Sequence, residues 1–195
     1  MGLLDTILGR SKPVQPNLDQ LFALPSAALT LEAGTGFRPT GAGSVCFAGV
    51  EGGEFARIRQ DIGELLDVDT DADNSPVRFS RDSYGYNWLL AQRAPDDIAA
   101  LVTDLHAVNT SLQEAGFGPQ LLCSLLGFRD GENQQPLALV YLYKRGAFFP
   151  FAPVPGSTEK RDSQLELQVR AALGADLRIE PDLARWFPVW GAPGL

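Results

Sequence analysis

Few residues of this chain have the type and spacing that enzyme chemistry requires. The single histidine, His106, has no second histidine and no cysteine at metal-ligand spacing, so it lacks the partners of a metal site. We interpret it as a boundary-face histidine that makes a hydrogen bond. The alternative is an enzyme with dispersed residues, which would have to bring together His106, Asp82, Ser83 and Cys123.

The motifs that usually hold ions or nucleotides are incomplete. An EF-hand loop needs glycine at position six and glutamate at position twelve. A count from Asp67 places Ala72 and Arg78 there, and a count from Asp69 fails as well. The glycine-rich residues 34–43 are not followed by a helix start with the third glycine of a dinucleotide site. We therefore predict no catalytic residue, no cofactor and no metal.

Composition limits the classes of partner. The chain has 195 residues, 45% of them hydrophobic, and a net charge of −8. An acidic surface of this kind repels phosphates, which argues against nucleic acid as a ligand. No apolar stretch approaches the ~20 residues of a membrane helix, and the N-terminus does not resemble a signal peptide. We expect a cytoplasmic location.

The two cysteines, Cys46 and Cys123, are far apart in the sequence and lie inside apolar runs. Cysteine in such a setting behaves as a small buried hydrophobe, so we predict two reduced thiols. A disulfide between them stays open as the alternative.

Aromatic residues concentrate in three segments, which are residues 80–88, 148–151 and 186–190. Tyrosine, tryptophan and arginine are enriched at binding hot spots. The alternative is that the first segment is a hairpin half buried in the core and that the C-terminal aromatics fold back on their own domain. If they are exposed, they mark an interface. The candidate interface residues are Arg81, Tyr84, Tyr86, Trp88, Phe149, Phe151, Trp186 and Trp190.

Hydrophobic periodicity predicts a single α+β domain over residues 1–195. The strands are predicted at residues 29–32, 45–48, 77–80, 84–92, 121–129, 137–144 and 147–151, and the helices at residues 3–8, 17–24, 54–66, 95–115 and 163–173. Short turns between successive strands imply antiparallel pairing, with helices packed on one face. Residues 34–43 and 67–74 are expected to be loops.

Several helix ends carry recognisable signals. Asn17 with Gln20, and Ser163 with Glu166, fit capping boxes. Pro25 should end the helix that Asn17 begins, whereas Pro95 should begin the longest one. Residues 1–16 are predicted to form a short apolar helix and a linker, which either dock on the domain or contact a partner or a membrane surface. Residues 175–195 form an aromatic, proline-containing tail.

Several segments together resemble the actinobacterial family of phage-shock-protein-A-associated proteins, PspAB. These are residues 1–13, 21–27, 43–47, 80–88, 104–109 and 116–129. The resemblance implies a cytoplasmic protein of the envelope-stress response built around PspA, with an HtpX-like membrane metallopeptidase as a second possible partner. It supplies no catalytic residue. The order of elements is also similar to secretion-chaperone-like α+β domains.

The hypothesis that follows is a non-enzymatic adaptor or chaperone-like module that binds a protein partner through an aromatic or sheet surface. A hydrolase-like enzyme and a peripheral membrane-contact protein are the alternatives. Self-association into a homo-oligomer stays open.

Overall fold

A six-stranded antiparallel sheet organises the protein in the computed structural model, which describes residues 16–49, 53–66 and 77–195. The strands are β1 (Phe37–Phe47), β2 (Val77–Arg81), β3 (Asn87–Gln92), β4 (Leu121–Asp130), β5 (Pro136–Leu142) and β6 (Ala147–Phe151), and the helices are α1 (Leu24–Thr35), α2 (Gly53–Leu65), α3 (Ile98–Leu112) and α4 (Ser163–Leu173). Their order across the sheet is β2-β3-β1-β4-β5-β6. The predicted α+β class is confirmed.

Both faces of the sheet are covered, by different parts of the chain. Along β5, Leu137, Leu139 and Tyr141 belong to the cluster that packs under the helices. Ala138 and Val140 alternate with them and belong to a second cluster on the opposite face. This period of two is the geometry of a strand. It explains why β5 is apolar throughout, whereas a strand with one face exposed to solvent would alternate apolar and polar residues.

The segment after Pro25 differs from the prediction. A 3-10 helix (Leu18–Ala23) runs directly into α1, and Pro25 lies in the first turn of α1 instead of ending a helix. Proline is tolerated there because the first helical N–H groups have no intrahelical acceptor. Asn17 makes no side-chain cap, so that capping box is wrong.

The predicted strand at residues 29–32 is also wrong, because these residues belong to α1. Leu31 is completely buried whereas Leu29 is 70% exposed. Four alternating residues fit either period, and the buried positions of α1 follow helical spacing. They are Leu24, Ala27, Ala28 and Leu31.

The predicted glycine loop at residues 34–43 is instead the end of α1 and the first part of β1. The pairing of β1 with β4 shifts register between Pro39 and Gly43, which marks a β-bulge. Gly41 has φ +76°, and a Cβ there would collide with the carbonyl of Arg93. Glycine therefore permits the bulge, and the strand continues through it.

Other boundaries of helices and strands differ from the predicted ones by a few residues. Tyr84 and Tyr86 lie in the turn between β2 and β3 instead of in a strand. The long helix, α3, begins at Ile98, where the Asp97 side chain caps the N–H of Ala100. The predicted helix at residues 3–8 and the acidic run at residues 67–74 lie outside the described residues.

The start of α4 corrects the second predicted capping box. Asp162 caps this helix by accepting a 3.0 Å hydrogen bond from the N–H of Leu165. Glu166 is buried and binds Arg161 and the N–H of Ala152 instead. The cap residue is therefore Asp162, one position before the predicted Ser163.

The C-terminal tail covers the sheet face that the helices leave open. Trp186, Val189 and Ala192 pack against the second cluster, and the Trp190 ring meets the Phe151 ring edge-on at 4.8 Å. Near the end of the chain the carbonyl of Gly194 lies against Gly127, where a Cβ would not fit. The structure therefore shows the alternative, in which the C-terminal aromatics fold back on their own domain. No helix in the described part of the chain is long and apolar enough to cross a membrane.

Candidate functional site

The tail does not cover its sheet face completely and leaves a cleft of about 660 Å³. One row of residues across four strands forms its floor: Trp88 of β3 lies opposite Cys46 of β1, Cys46 opposite Cys123 of β4, and Cys123 opposite Leu142 of β5. This space is called the cleft below. Its walls and rim are formed by Asp82, Tyr84, Tyr86, Leu122, Lys144, Arg145, Glu159 and residues 187–190.

The two thiols are adjacent in the floor of the cleft. Cys46 and Cys123 are free and almost completely buried. The neighbouring Cys46 side chain and burial together raise the pKa of Cys123 well above its ordinary value. A protonated thiol is a poor nucleophile, so Cys123 contributes apolar surface to the floor, and the buried Cys46 lies beside it. The predicted burial of both thiols is confirmed, although nothing in the sequence placed them side by side.

One wall of the cleft is a turn that Asp82 holds together. The indole N–H of Trp88 donates to Asp82 Oδ2 at 2.8 Å, and the backbone N–H groups of Tyr84 and Tyr86 donate to Asp82 Oδ1 at 2.9 Å each. Burial alone would raise the pKa of Asp82, but these donors hold it below its usual value. The turn therefore presents two tyrosines, which are 65% and 42% exposed, on a fixed backbone.

The opposite wall begins at Trp186, which is anchored at both ends. Its indole N–H donates to the carbonyl of Glu180 at 3.0 Å, and its own carbonyl accepts from Arg161 Nη1 at 2.7 Å. Arg161 is in turn bound through Nε to the buried carboxylate of Glu166 at 2.9 Å. Phe187, the next residue, is 40% exposed and lines the cleft. These bonds fix the point from which the wall starts.

The rim carries both signs of charge. Lys144 and Arg145 come from the turn between β5 and β6, and Asp82 and Glu159 lie among the other lining residues. Arg145 also binds Glu180 at 3.1 Å. Burial by itself would raise the pKa of Glu180, but the N–H of Asp182 and the arginine lower it. An apolar floor inside a mixed-charge rim suits an amphipathic polypeptide segment better than a small ion.

The candidate interface residues separate into two groups. Tyr84, Tyr86, Trp88 and Trp190 line the cleft, although Trp88 is only 4% exposed and belongs to the second cluster, and Arg81 lies exposed at the end of β2. The other three, Phe149, Phe151 and Trp186, are buried in the second cluster and are not part of the surface. They pack between the sheet and the tail because β6 is covered on both faces.

Sequence inspection missed part of the cleft. Cys46 and Cys123 were interpreted as ordinary buried residues, and neither Leu142 nor Lys144 was singled out. The signal that could have found them is the strand register, which places a residue of each central strand in one row.

The four residues of the enzyme alternative do not come together. Asp82 and Cys123 line the cleft. His106 lies on α3, on the helix-covered face, where its Nε2 is 3.5 Å from Asp19 Oδ1 and its ring is 4.7 Å from the Phe22 ring. The sheet separates it from Cys123. Within the described ranges, no group of three or more His, Cys, Asp or Glu side chains is placed to hold a metal ion.

Comparison with known proteins identifies a family. The model of the family PspAB, described as PspA associated protein B, matches residues 1–194. No curated protein and no solved structure matches the chain.

Proposed function

We propose, from the premise that this chain belongs to the PspA associated protein B family, that it is a non-enzymatic adaptor or chaperone-like module of a bacterial PspA-linked stress response. Its place of action would be the cytoplasm. The family description points to PspA as the partner, and an HtpX-like metallopeptidase is the second candidate from the resemblance.

The observation that carries this proposal is the open apolar cleft beside exposed aromatics. Tyr84, Tyr86 and Phe187 are large side chains with 40–65% of their surface exposed, and they flank the mouth of the cleft. Aromatic residues around an apolar depression are typical of protein-binding hot spots. A partner segment would insert apolar side chains over the Cys46–Cys123 floor and place its charges against the rim.

The non-enzymatic part of the proposal is supported by two features of the described residues. His106 is separated from the thiols by the sheet. The raised pKa of Cys123 also keeps that thiol protonated near neutral pH. A nucleophile without an adjacent base in this state is poorly suited to covalent chemistry.

The test is the affinity of the purified protein for PspA, measured by titration calorimetry. The cleft variant Tyr84→Ala/Phe187→Ala removes two exposed aromatics from opposite walls. The control variant Phe22→Ala/Leu29→Ala removes exposed apolar side chains from the helix-covered side. We expect the cleft variant to bind at least about tenfold more weakly, which corresponds to about 1.4 kcal/mol, and the control to bind like the wild type.

Equal loss in both variants would contradict the cleft as the binding surface. Absence of wild-type binding to PspA, and to the cytosolic part of the metallopeptidase, at low and moderate salt would contradict the adaptor itself.

A further inference from the structure

We propose that Cys46 and Cys123 are a redox modification site, at which a hydroperoxide that enters the cleft oxidises the two thiols to one reversible intramolecular disulfide. The bond joins β1 to β4 in the middle of the cleft floor. The inference goes beyond the proposed adaptor function and does not rest on it, because it concerns the chemistry of the floor and involves no partner.

The strand register places the two cysteines opposite each other. Cys46 of β1 pairs with Cys123 of β4 in the antiparallel ladder, and both residues line the cleft. Directly opposite residues in such a ladder have Cα atoms about 4.5 or 5.5 Å apart, depending on their hydrogen-bonding pattern. Disulfides join Cα atoms that are about 4.4–6.8 Å apart. The backbone therefore already holds this pair at the separation that a disulfide requires.

The movement that remains is small. Cβ atoms of opposite residues are about 4.5–5.5 Å apart, whereas those of a disulfide are about 3.5–4.5 Å apart. The two strands therefore approach each other by about 1 Å when the bond forms. The ladder changes register between Cys46 and Phe47, and an irregularity of this kind lets a strand bend locally. This irregularity allows β1 to move next to Cys46.

Both thiols are free and lie close together. Neither cysteine is part of a disulfide, and the neighbouring Cys46 side chain is the largest cause of the raised pKa of Cys123. The two side chains are therefore close enough to interact directly. A sulfenic acid formed on one of them meets the other thiol at once, because no diffusion step separates the two groups.

The cleft is the route by which a small oxidant reaches the sulfur atoms. It opens over both cysteine side chains, although their neighbours leave only 4% of Cys46 and 1% of Cys123 exposed. Hydrogen peroxide is only slightly larger than water, so it can enter a space that excludes a protein thiol or a bulky disulfide. Hydroperoxides are therefore the class of oxidant that fits this site.

Cys46 reacts first, because it is the more exposed of the two and Cys123 retains its proton. The Cys46 thiol loses its proton to water, and the thiolate attacks one oxygen of hydrogen peroxide. The O–O bond breaks, a sulfenic acid forms on Cys46, and the released hydroxide takes up a proton to become water.

The second step is intramolecular. The Cys123 sulfur attacks the sulfenic sulfur of Cys46, the S–O bond breaks, and hydroxide leaves with the thiol proton of Cys123 as water. The two thiols lose two electrons in total, and one hydrogen peroxide is reduced to two molecules of water. Contact between the groups compensates for the low reactivity of the protonated Cys123.

The disulfide changes the surface that an occupant of the cleft contacts. Trp88 lies opposite Cys46 and Leu142 lies opposite Cys123, so the two cysteines occupy the centre of the floor row. A contraction between β1 and β4 moves these two flanking side chains relative to each other. The redox state of the cysteine pair therefore sets the shape of the floor.

The first experiment counts thiols in the folded full-length protein. The protein is treated with a small molar excess of hydrogen peroxide, denatured and alkylated with N-ethylmaleimide, and its mass is measured. We expect two maleimide adducts before treatment, none after it together with the loss of two hydrogen atoms, and two again after dithiothreitol. A proteolytic digest of the oxidised protein should contain one linked pair of peptides, which carry Cys46 and Cys123.

Persistence of two reactive thiols, under conditions that fully oxidise glutathione, would overturn the proposal. Oxygen addition that dithiothreitol does not reverse, or a disulfide between two molecules, would overturn it as well. The matched control is Cys46→Ser, in which Cys123 should keep its maleimide adduct after the same treatment. Loss of that adduct would show that Cys123 is oxidised without its neighbour and would contradict the pair.

The second experiment locates the bond by tryptophan fluorescence. A disulfide quenches an indole in contact with it, and Trp88 lies opposite Cys46 in the floor. We expect the emission of the wild type to fall on oxidation and to recover on reduction. Trp88→Phe should lack this change, and a change of equal size in that variant would place the quenching outside the floor.

The control for damage to the indole is Cys123→Ser, which retains Trp88 but cannot form the bond. Its emission should not respond to peroxide, and an equal fall in this variant would contradict the assignment to a disulfide. Neither experiment uses PspA, so failure of the adaptor proposal is distinguishable from failure of this one.

Discussion

The indole N–H of Trp88 and the carboxylate of Asp82 are joined by a 2.8 Å hydrogen bond that ties the β2–β3 turn to the floor of the cleft. The same carboxylate accepts the backbone N–H groups of both tyrosines on this wall. One side chain thus determines the position of the exposed Tyr84 and Tyr86 relative to the buried Trp88.

Acid should release this wall before the fold is lost. The pKa of Asp82 is lowered in the folded protein, so its contribution to stability is complete above its unfolded pKa of about 4 and is lost as pH falls through the lower folded value. We expect a change in tryptophan fluorescence in that acidic range. Asp82→Asn should abolish this change and lower the free energy of unfolding at pH 7 by about 1 kcal/mol.

The fluorescence assignment is checked with Trp88→Phe, which should also lack the acidic change. A fluorescence change of equal size in Asp82→Asn would mean that another carboxylate produces the acidic change.

The anchor of the tail depends on the ion pair between Arg161 and Glu166. Glu166 is 3% exposed, and Arg161 connects it to the carbonyl of Trp186. Arg161→Met leaves a buried carboxylate without its counter-charge, which costs about 3 kcal/mol. We expect that loss in denaturant unfolding. Arg161→Met/Glu166→Leu should recover part of it because no uncompensated charge remains, and a double variant no more stable than the single one would contradict this explanation.

The end of the tail requires a glycine at position 127. A Cβ there would meet the carbonyl of Gly194 and the hydroxyl of Thr40, and backbone atoms cannot move away as easily as a flexible side chain. We expect Gly127→Ala to detach residues 192–195 from β4, with faster proteolysis at the C-terminus and a loss of about 1–3 kcal/mol from overpacking.

The control for this variant is Gly131→Ala, where an added Cβ has nothing within 4 Å. It should leave both proteolysis and stability unchanged. If the tail of Gly127→Ala resists proteolysis as the wild type does, the sheet moves to accommodate the added Cβ and the tail does not detach.

Tyr141 connects the core to the first described residues. Its hydroxyl donates to the carbonyl of Asn17 at 2.8 Å, and burial raises its pKa to about 12. Because the unfolded value is about 10, the contribution of the neutral phenol is complete below pH 10 and is lost as pH rises towards 12. We expect Tyr141→Phe to lower the free energy of unfolding at pH 7 by about 1 kcal/mol.

The exposed Tyr86 provides the matched control. Tyr86→Phe should change the stability little. Tyrosinate absorbance of Tyr141→Phe should show one phenol fewer in the step near pH 12, and an unchanged step there would contradict the burial argument.

Long segments with one clear period were predictable. The strands β4, β5 and β6 and the helices α2, α3 and α4 were located from apolar runs and helical spacing. The errors in the predicted elements came from short sequence patterns that are compatible with two different secondary structures. Four alternating residues at 29–32 fit a helix equally well, Pro25 is compatible with either end of a helix, and a bulge at Gly41 let a strand continue through a glycine-rich stretch.

Burial of the aromatics also depended on tertiary packing. The sequence showed that Phe149, Phe151 and Trp186 needed apolar surroundings, but both a core and an interface provide them. The tail decides between these by packing on β6, where the Phe149 and Trp186 rings stack at 6.0 Å between centroids.

The sequence by itself determined the fold class, the family resemblance and the lack of familiar catalytic motifs, because periodicity and short motifs are local properties of the chain. Only the tertiary structure decided that Trp88, Cys46, Cys123 and Leu142 form one row under an open cleft. Register between strands that are distant in sequence is set by the packing of both sheet faces at once, and a shift of one residue would have turned every one of these side chains towards the helices.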